Sequence, residues 1–311
     1  MHVSEETHYG GQAVIEGVMI RGKTAMATAV RLADGEIRVV TGPVRSILSR
    51  RRWLDVPFVR GTPALIDALA LGFRSMLLSA DLALEGEGKR PMNRLMFAGS
   101  LVLALVLGIG LFVILPTMVA PKFSGGLVAR AASGAAAVAG HSAGFIVLNL
   151  IEGVIRLVVL LIYLLLIMNL GDIKRLFEYH GAEHQVVNAH EHGRPLSEAA
   201  QFDTVHNRCG TAFIAVVIVV GVIVHAFMKW PDWHVRILSR IAVIPIIAGV
   251  AFEIIKAAGR SRDPRWYTLI AWPGLLLQRI TTRKPAPDQV EVAAHAMQAV
   301  LDAEAAEAPS S

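Results

Sequence analysis

The 311-residue chain contains a single cysteine, Cys209. No internal disulfide can form, so whatever stabilises the fold is not a covalent framework. Charge is also scarce, at 18% of residues against 54% hydrophobic. The opening segment, Met1–Gly11, is polar and lacks the apolar core of a secretory signal, so none is expected. No internal repeat is visible. The net charge of +5 would suit a nucleic-acid partner. However, the basic residues lie beside apolar runs, where membrane topology puts them. No nucleic-acid binding is expected.

What the chain does have is long apolar runs. Four of them, about Leu95–Val119, Gly144–Leu170, Ala212–Met228 and Ile237–Ile255, reach bilayer length, since a spanning helix needs roughly 17–25 apolar residues. Lysine and arginine set their orientation. The segment before the first run is rich in them, with Arg21, Arg50, Arg51, Arg52, Arg60 and Arg94 among others. The next loop has only Lys122 and Arg130, and the following one has Lys174, Arg175, Arg194 and Arg208. A short third loop has Lys229, with Arg236 at its edge, and the tail is again basic from Arg260 to Lys284. By the positive-inside rule both termini and the 171–211 loop are cytoplasmic. The sequence thus predicts a mainly α, polytopic helical protein of the bacterial cell (inner) membrane with four spans, its partner being the lipid bilayer.

Three regions are expected. Residues 1–94 form a cytoplasmic N-terminal region with a small β-containing segment. Residues 95–256 form the membrane domain, including the cytoplasmic 171–211 loop, and residues 257–311 form a cytoplasmic tail. In the first region, Ala27–Leu32 and Glu36–Thr41 alternate around Ala33-Asp34-Gly35 and read as a β-hairpin. Before it, the run from Gly10 to Gly22 is strand-like and bounded by glycines. Residues 62–80 are apolar but carry Asp67 and Arg74, which suits an interfacial or partly buried helix better than a fifth span. In the tail, Asp288–Ala305 has helical periodicity, with Val290, Ala293, Ala294, Met297 and Leu301 on one face.

The sharpest chemical signal is His180-Gly181-Ala182-Glu183-His184, just beyond the second run. On a helix the two histidines share a face and can share one divalent metal ion. His-x-x-Glu-His is the inverted-zincin pattern, in which the Glu acts as general base on water. Gly181 weakens the helical assumption, and the alternative is a polar interfacial helix with incidental histidines. His206-Asn207-Arg208-Cys209-Gly210-Thr211 closes the same loop. Its anchoring at the same membrane face lets His206 and Cys209 approach His180 and His184. His, Cys and Glu are the usual zinc ligand set. Cys209 could instead be a small residue at a helix start, and His206 a hydrogen-bonded interfacial group.

Glu253, near the cytoplasmic end of the fourth run, is a candidate third ligand or a carboxylate behind the ligands; a salt bridge to another helix is the competing reading. Glu152 and Arg156 form an i,i+4 pair that reads as mutual neutralisation. His225 lies deep in the third run, and His190 and His192 read as solvated. Glu16, flanked by apolar residues and Gly17, could reach a neighbouring site or stabilise a turn.

The chain resembles the YqhQ-like family of bacterial membrane proteins, a domain-of-unknown-function family described as metal-dependent enzymes. The resemblance runs from about Tyr9 to Ala294. It is carried by Gly10–Gly22, Asn149-Leu150-Ile151-Glu152-Gly153, Tyr179–His184, His206–Thr211 and Pro273–Thr282. It implies a membrane location and a metal, and no substrate.

Two functions compete. In the first, a metal-dependent hydrolase at the cytoplasmic interface holds a divalent ion, zinc by ligand type, with His180 and His184 and with His206 or Glu253 as third ligand. Glu183 is then the general base, Glu16 and Cys209 stand nearby, and Arg208 and Arg21 orient an anionic group of a membrane-proximal substrate. In the second, a non-enzymatic scaffold or regulator uses the same cluster as a closed structural site or polar network. A transporter fits less well, because no pair of broken helices suggests a midplane site.

Overall fold

The structure is a computed structural model that describes residues 9–44, 46–86, 88–89, 93–134, 140–206, 209–228, 232–260 and 264–307. The described chain is mainly helical, with one small antiparallel sheet.

The sheet is a meander of β1 (Gly10–Val14), β2 (Gly17–Arg21), β3 (Ala25–Arg31) and β4 (Ile37–Pro43), paired in that order. The β3–β4 hairpin forms where the alternation predicts it. Gly35 sits at φ +90°, and the Asp34 carboxylate accepts the Glu36 N–H at 3.0 Å. The Gly10–Gly22 run is a second hairpin, turning through Ile15 and Glu16 between the paired Val14 and Gly17. Glu16 takes the left-handed conformation, φ +52°, so the turn carries no glycine or asparagine to advertise it.

Both faces of the sheet are covered. Val18, Ile20, Ala27 and Ala29 point to one side, against helices α6 (Gly171–Glu191) and α11 (Pro287–Glu307). Val14, Met19, Val30 and Leu32 point to the other, against α2 (Gly61–Gly86), which follows the single turn α1 (Ile47–Arg50). The predicted face of α11 is the buried one: Val290, Ala293 and Met297 are in the core, with Ala294 and Leu301 packed at its edge. Glu304 ties the ends of the chain together, accepting from the Tyr9 hydroxyl at 2.9 Å and the Thr24 N–H at 2.8 Å. Three segments distant in sequence therefore form one packed body: the N-terminal sheet, α6 and the C-terminal helix.

The apolar helices extend from this body. Helix α3 (Arg94–Ile109) runs through a π-turn (Gly110–Ile114) into α4 (Leu115–Gly134), and α5 (Gly140–Ile167) returns. Among the described residues, two stretches are long and apolar enough to cross a membrane, Arg94–Phe123 and Gly144–Ile167. They match the first two predicted runs. The other two differ from the expectation of four spans, of which the third run was already at the short end. The third run is α7 (Gly210–Ala226), whose apolar portion Phe213–Ala226 falls short of that length. The fourth is broken into α8 (Trp233–Ala242) and α9 (Ile244–Arg260), bent by 42°. Pro245 explains the break, because it has no N–H to continue the helix and fits only a first turn. If the bent pair counts as one span, there are three. Helix α2 is not among these spans and is partly buried against the sheet. Helix α10 (Pro264–Thr281), in the region expected to be the tail, packs along α7.

Candidate functional site

Helix α6 does form through the His-x-x-Glu-His motif, despite Gly181. A Cβ at this position would lie 2.0 Å from the Arg283 carbonyl oxygen. Glycine is needed there because the chain leaving α10 crosses α6 in contact, with the Arg283 N–H donating to the Phe177 carbonyl at 3.0 Å. That crossing sets the Thr281 carbonyl 2.9 Å from His180 Nδ1. The polar residues of α6 fix the loop on its other side. Gln185 donates to the Phe202 carbonyl at 2.8 Å, and Asn188 donates to the carbonyls of Asp203 and Val205. The Thr204 carbonyl is thereby held 2.5 Å from His184 Nδ1.

A carbonyl oxygen can only accept, so each Nδ1 carries the proton and each Nε2 of the neutral rings is left with its lone pair. Those lone pairs converge. His180 Nε2 is 3.2 Å from Cys209 Sγ, and the two rings are 4.5 Å apart. His184 Nε2 is buried and makes no hydrogen bond of accepted geometry, although the Cys209 thiol also acts on its ring. One ligand atom each from His180, His184 and Cys209 lies within 4.8 Å of the others. Ligands around a tetrahedral zinc ion stand about 3.3–3.6 Å apart, given bonds of 2.0–2.3 Å. Histidines that give their second nitrogen to a backbone carbonyl are the usual arrangement behind such an ion. An orphaned buried nitrogen facing a second imidazole and a thiol therefore fits a soft divalent metal.

Glu183 belongs to the same cluster. Its Oε2 is 3.9 Å from His180 Nε2 and 3.7 Å from His184 Nε2, and strand β1 covers it through the Gly11 N–H. Burial raises its carboxyl above the ordinary range, against the opposing pull of His180, His206 and that N–H. Burial also lowers the His184 imidazole.

The remaining sequence candidates are distributed differently. His206 is buried, its ring 5.7 Å from that of His184, but its Nε2 faces Glu191 at 3.1 Å. Its backbone is clamped by Gln278, which donates to the His206 carbonyl and accepts its N–H, both at 2.9 Å. Cys209 takes the place expected for His206 or Glu253, because it caps α7 and its sulfur faces α6. Glu253 is not brought to the cluster. Both its oxygens are taken by the Arg60 fork at 2.6 and 2.7 Å, the salt bridge that competed with ligation. Glu16, in the β1–β2 turn, faces the N-terminal part of α6 and is paired there with Arg175 at 2.5 Å. Arg21 lines a separate cavity with Arg50, Asp67 and Arg74. Arg208 lies outside the described residues. His190 is half-buried against Tyr9, not solvated, and His192 is exposed.

The cluster opens on a chamber of about 770 Å³. Gln12, Phe177, His180, Cys209 and Thr211 line one end, and Arg156, His225 and Arg240 the other, with apolar side chains between. The sequence reading missed Gln278 and the Thr281 carbonyl. Their signal was present, since Gln278, Thr281 and Thr282 are polar residues of the Pro273–Thr282 run and all three are buried, unlike the exposed Arg279 among them.

The family described as "Protein of unknown function (DUF1385)" matches residues 56–303. A protein of Bacillus subtilis (strain 168), "Uncharacterized protein YqhQ", is 33% identical over 315 aligned residues, 96% of this chain and 93% of the relative. No solved structure matches.

Proposed function

The chain belongs to the YqhQ-like, DUF1385 family, and on that premise we propose that it is a metal-dependent membrane enzyme, a hydrolase at the cytoplasmic face. The observation that carries the proposal is the convergence of two imidazole Nε2 lone pairs and the Cys209 sulfur, with His184 Nε2 buried and otherwise unpartnered. His180, His184 and Cys209 would hold the ion, and a nitrogen and sulfur donor set favours zinc. A bound ion of this kind supplies Lewis acidity and makes a water acidic enough to react near neutral pH.

The chain's own residues supply the rest. Thr281 and Thr204 hold both imidazoles in the ligating tautomer through their carbonyls. Glu183, beside both Nε2 atoms, takes and returns the proton. The chamber, which His180 and Cys209 line, offers a substrate an apolar wall beside the site. Three protein ligands beside an open chamber are the mark of a catalytic site, and four of a structural one.

The orientation belongs to the same proposal. Both termini and the 171–211 loop face the cytoplasm of a bacterial inner membrane. The Lys/Arg alternation supports this, as does the packing of the N-terminal sheet, α6 and α11 into one body, which needs all three on one side.

One observation favours a second reading, a closed structural site in a scaffold. Glu183 Oε2 is near enough to both Nε2 atoms to serve as a fourth ligand. Glu183→Gln separates the two. A general base gives a variant that keeps its metal and folded yield but fails to complement a deletion strain. A ligand gives one that loses metal and folded protein together. Full complementation by Glu183→Gln would remove the hydrolase mechanism.

A further inference from the structure

The far end of the chamber holds a group of charges that the proposed chemistry does not use. Glu152 on α5 accepts from three arginines: Arg156 on its own helix and Arg236 and Arg240 on α8, all at 2.9 Å. Thr117 also donates to it, at 3.0 Å. Three guanidinium groups thus share one carboxylate, and no second acid joins them among the described residues. The cluster is buried: Glu152 is 1% exposed, Arg240 3% and Arg236 7%. Two net positive charges in such a place are costly unless a counter-charge meets them.

The vacant bonding capacity is buried on residues that line the chamber. Arg240 spends its Nε and Nη2 on Glu152 and Asn149, while its buried Nη1 has no partner. His225 on α7 is 6% exposed. Its ring approaches the Gly221 carbonyl one turn back, yet neither nitrogen makes a hydrogen bond of accepted geometry. Arg156, Arg240 and His225 all line the chamber. Between them and Cys209 its wall includes Phe112, Val217, Ile218 and Ile247. Sixteen residues of α7 separate Cys209 from His225, about 24 Å at 1.5 Å per residue.

We propose that this end of the chamber binds the anionic group of a membrane amphiphile, a phosphate or carboxylate, through Arg240 Nη1, Arg156 and His225. The ligand's hydrocarbon lies along the apolar wall toward Cys209. A free anion would satisfy the arginines but leave that wall bare, whereas an acyl chain covers it. The inference does not depend on a metal being bound at the other end.

The test uses the full chain, purified in uncharged detergent and stripped of lipid. Its thermal stability is followed while oleate, phosphatidylglycerol, phosphatidylcholine or inorganic phosphate is added. Oleate or phosphatidylglycerol should stabilise it, and phosphatidylcholine and inorganic phosphate should do so far less. His225→Leu, which removes no bond made within the protein, should weaken the anionic amphiphile about tenfold, and Arg240→Gln at least as much. If Arg240→Gln fails to fold, His225→Leu decides. Equal stabilisation by phosphatidylcholine would overturn the anionic site. Inorganic phosphate acting as well as the amphiphiles would overturn the lipid. Unchanged binding by His225→Leu would overturn the assignment of the residues.

Discussion

The molecule buries two polar clusters at opposite ends of one chamber, and they are built in opposite ways. The histidine cluster is over-determined. Each imidazole is fixed by a backbone carbonyl, and those carbonyls are fixed by Gly181, Gln185, Asn188 and Gln278. What remains unpaired there are lone pairs, which attract a cation. The arginine cluster shares one carboxylate, and the Arg240 Nη1 N–H donors remain unpaired there, which attracts an anion. Buried groups left without partners thus indicate the sign of the missing ligand, because burial makes an unmet donor or acceptor expensive.

This contrast can be broken most forcefully at Glu152. Glu152→Ala leaves three buried arginines without their carboxylate, and removing one side of such a pair costs about 3–5 kcal/mol. Thermal unfolding in detergent should show a large fall in stability, with metal content per folded chain unchanged. A variant that melts like wild type would mean that the arginines are compensated elsewhere.

Gly181→Ala attacks the other cluster. Its Cβ would press on the Arg283 backbone, which cannot swing aside as a side chain could. The expected loss is about 1–3 kcal/mol, as for overpacking. Metal affinity should fall as well, because the Thr281 carbonyl moves with that segment. Retained stability with weakened metal binding would still support the positioning role; unchanged metal binding would not.

The smallest effect is expected at Glu16→Gln. The Glu16–Arg175 pair is part-exposed, 32% and 45%, so its contribution is no more than about 1 kcal/mol. Metal content should not change. A loss of metal would place Glu16 nearer the centre than its pairing with Arg175 indicates.

What was legible in the sequence follows the range of the interactions. The Asp34-Gly35 hairpin, the buried face of α11 and the His180–His184 spacing are local patterns. Each appears in the structure as its periodicity requires. The first two apolar runs were legible for the same reason. The Ile15-Glu16 turn was only partly legible: Glu16 beside Gly17 suggests a turn, but the two turn positions hold no glycine or asparagine. The fourth run looked continuous because Pro245 and Arg240 interrupt it without ending its apolar character. Cys209 rather than Glu253 joins the histidines because Arg60, far away in sequence, claims Glu253. The Glu152–Arg156 pair read as neutral, since nothing local reveals that Arg236 and Arg240 arrive from α8. Partners contributed by distant helices were the part that could not be read in advance.

The most direct test of the central claim is the metal content and cobalt spectrum of the purified full-length chain, compared with His184→Ala and Cys209→Ala. The account predicts about one zinc per wild-type chain, lost in His184→Ala. It also predicts a near-ultraviolet sulfur-to-metal charge-transfer band in the cobalt-loaded protein, absent in Cys209→Ala. Folded wild-type protein that takes up neither zinc nor cobalt, or His184→Ala that retains its metal, would contradict it.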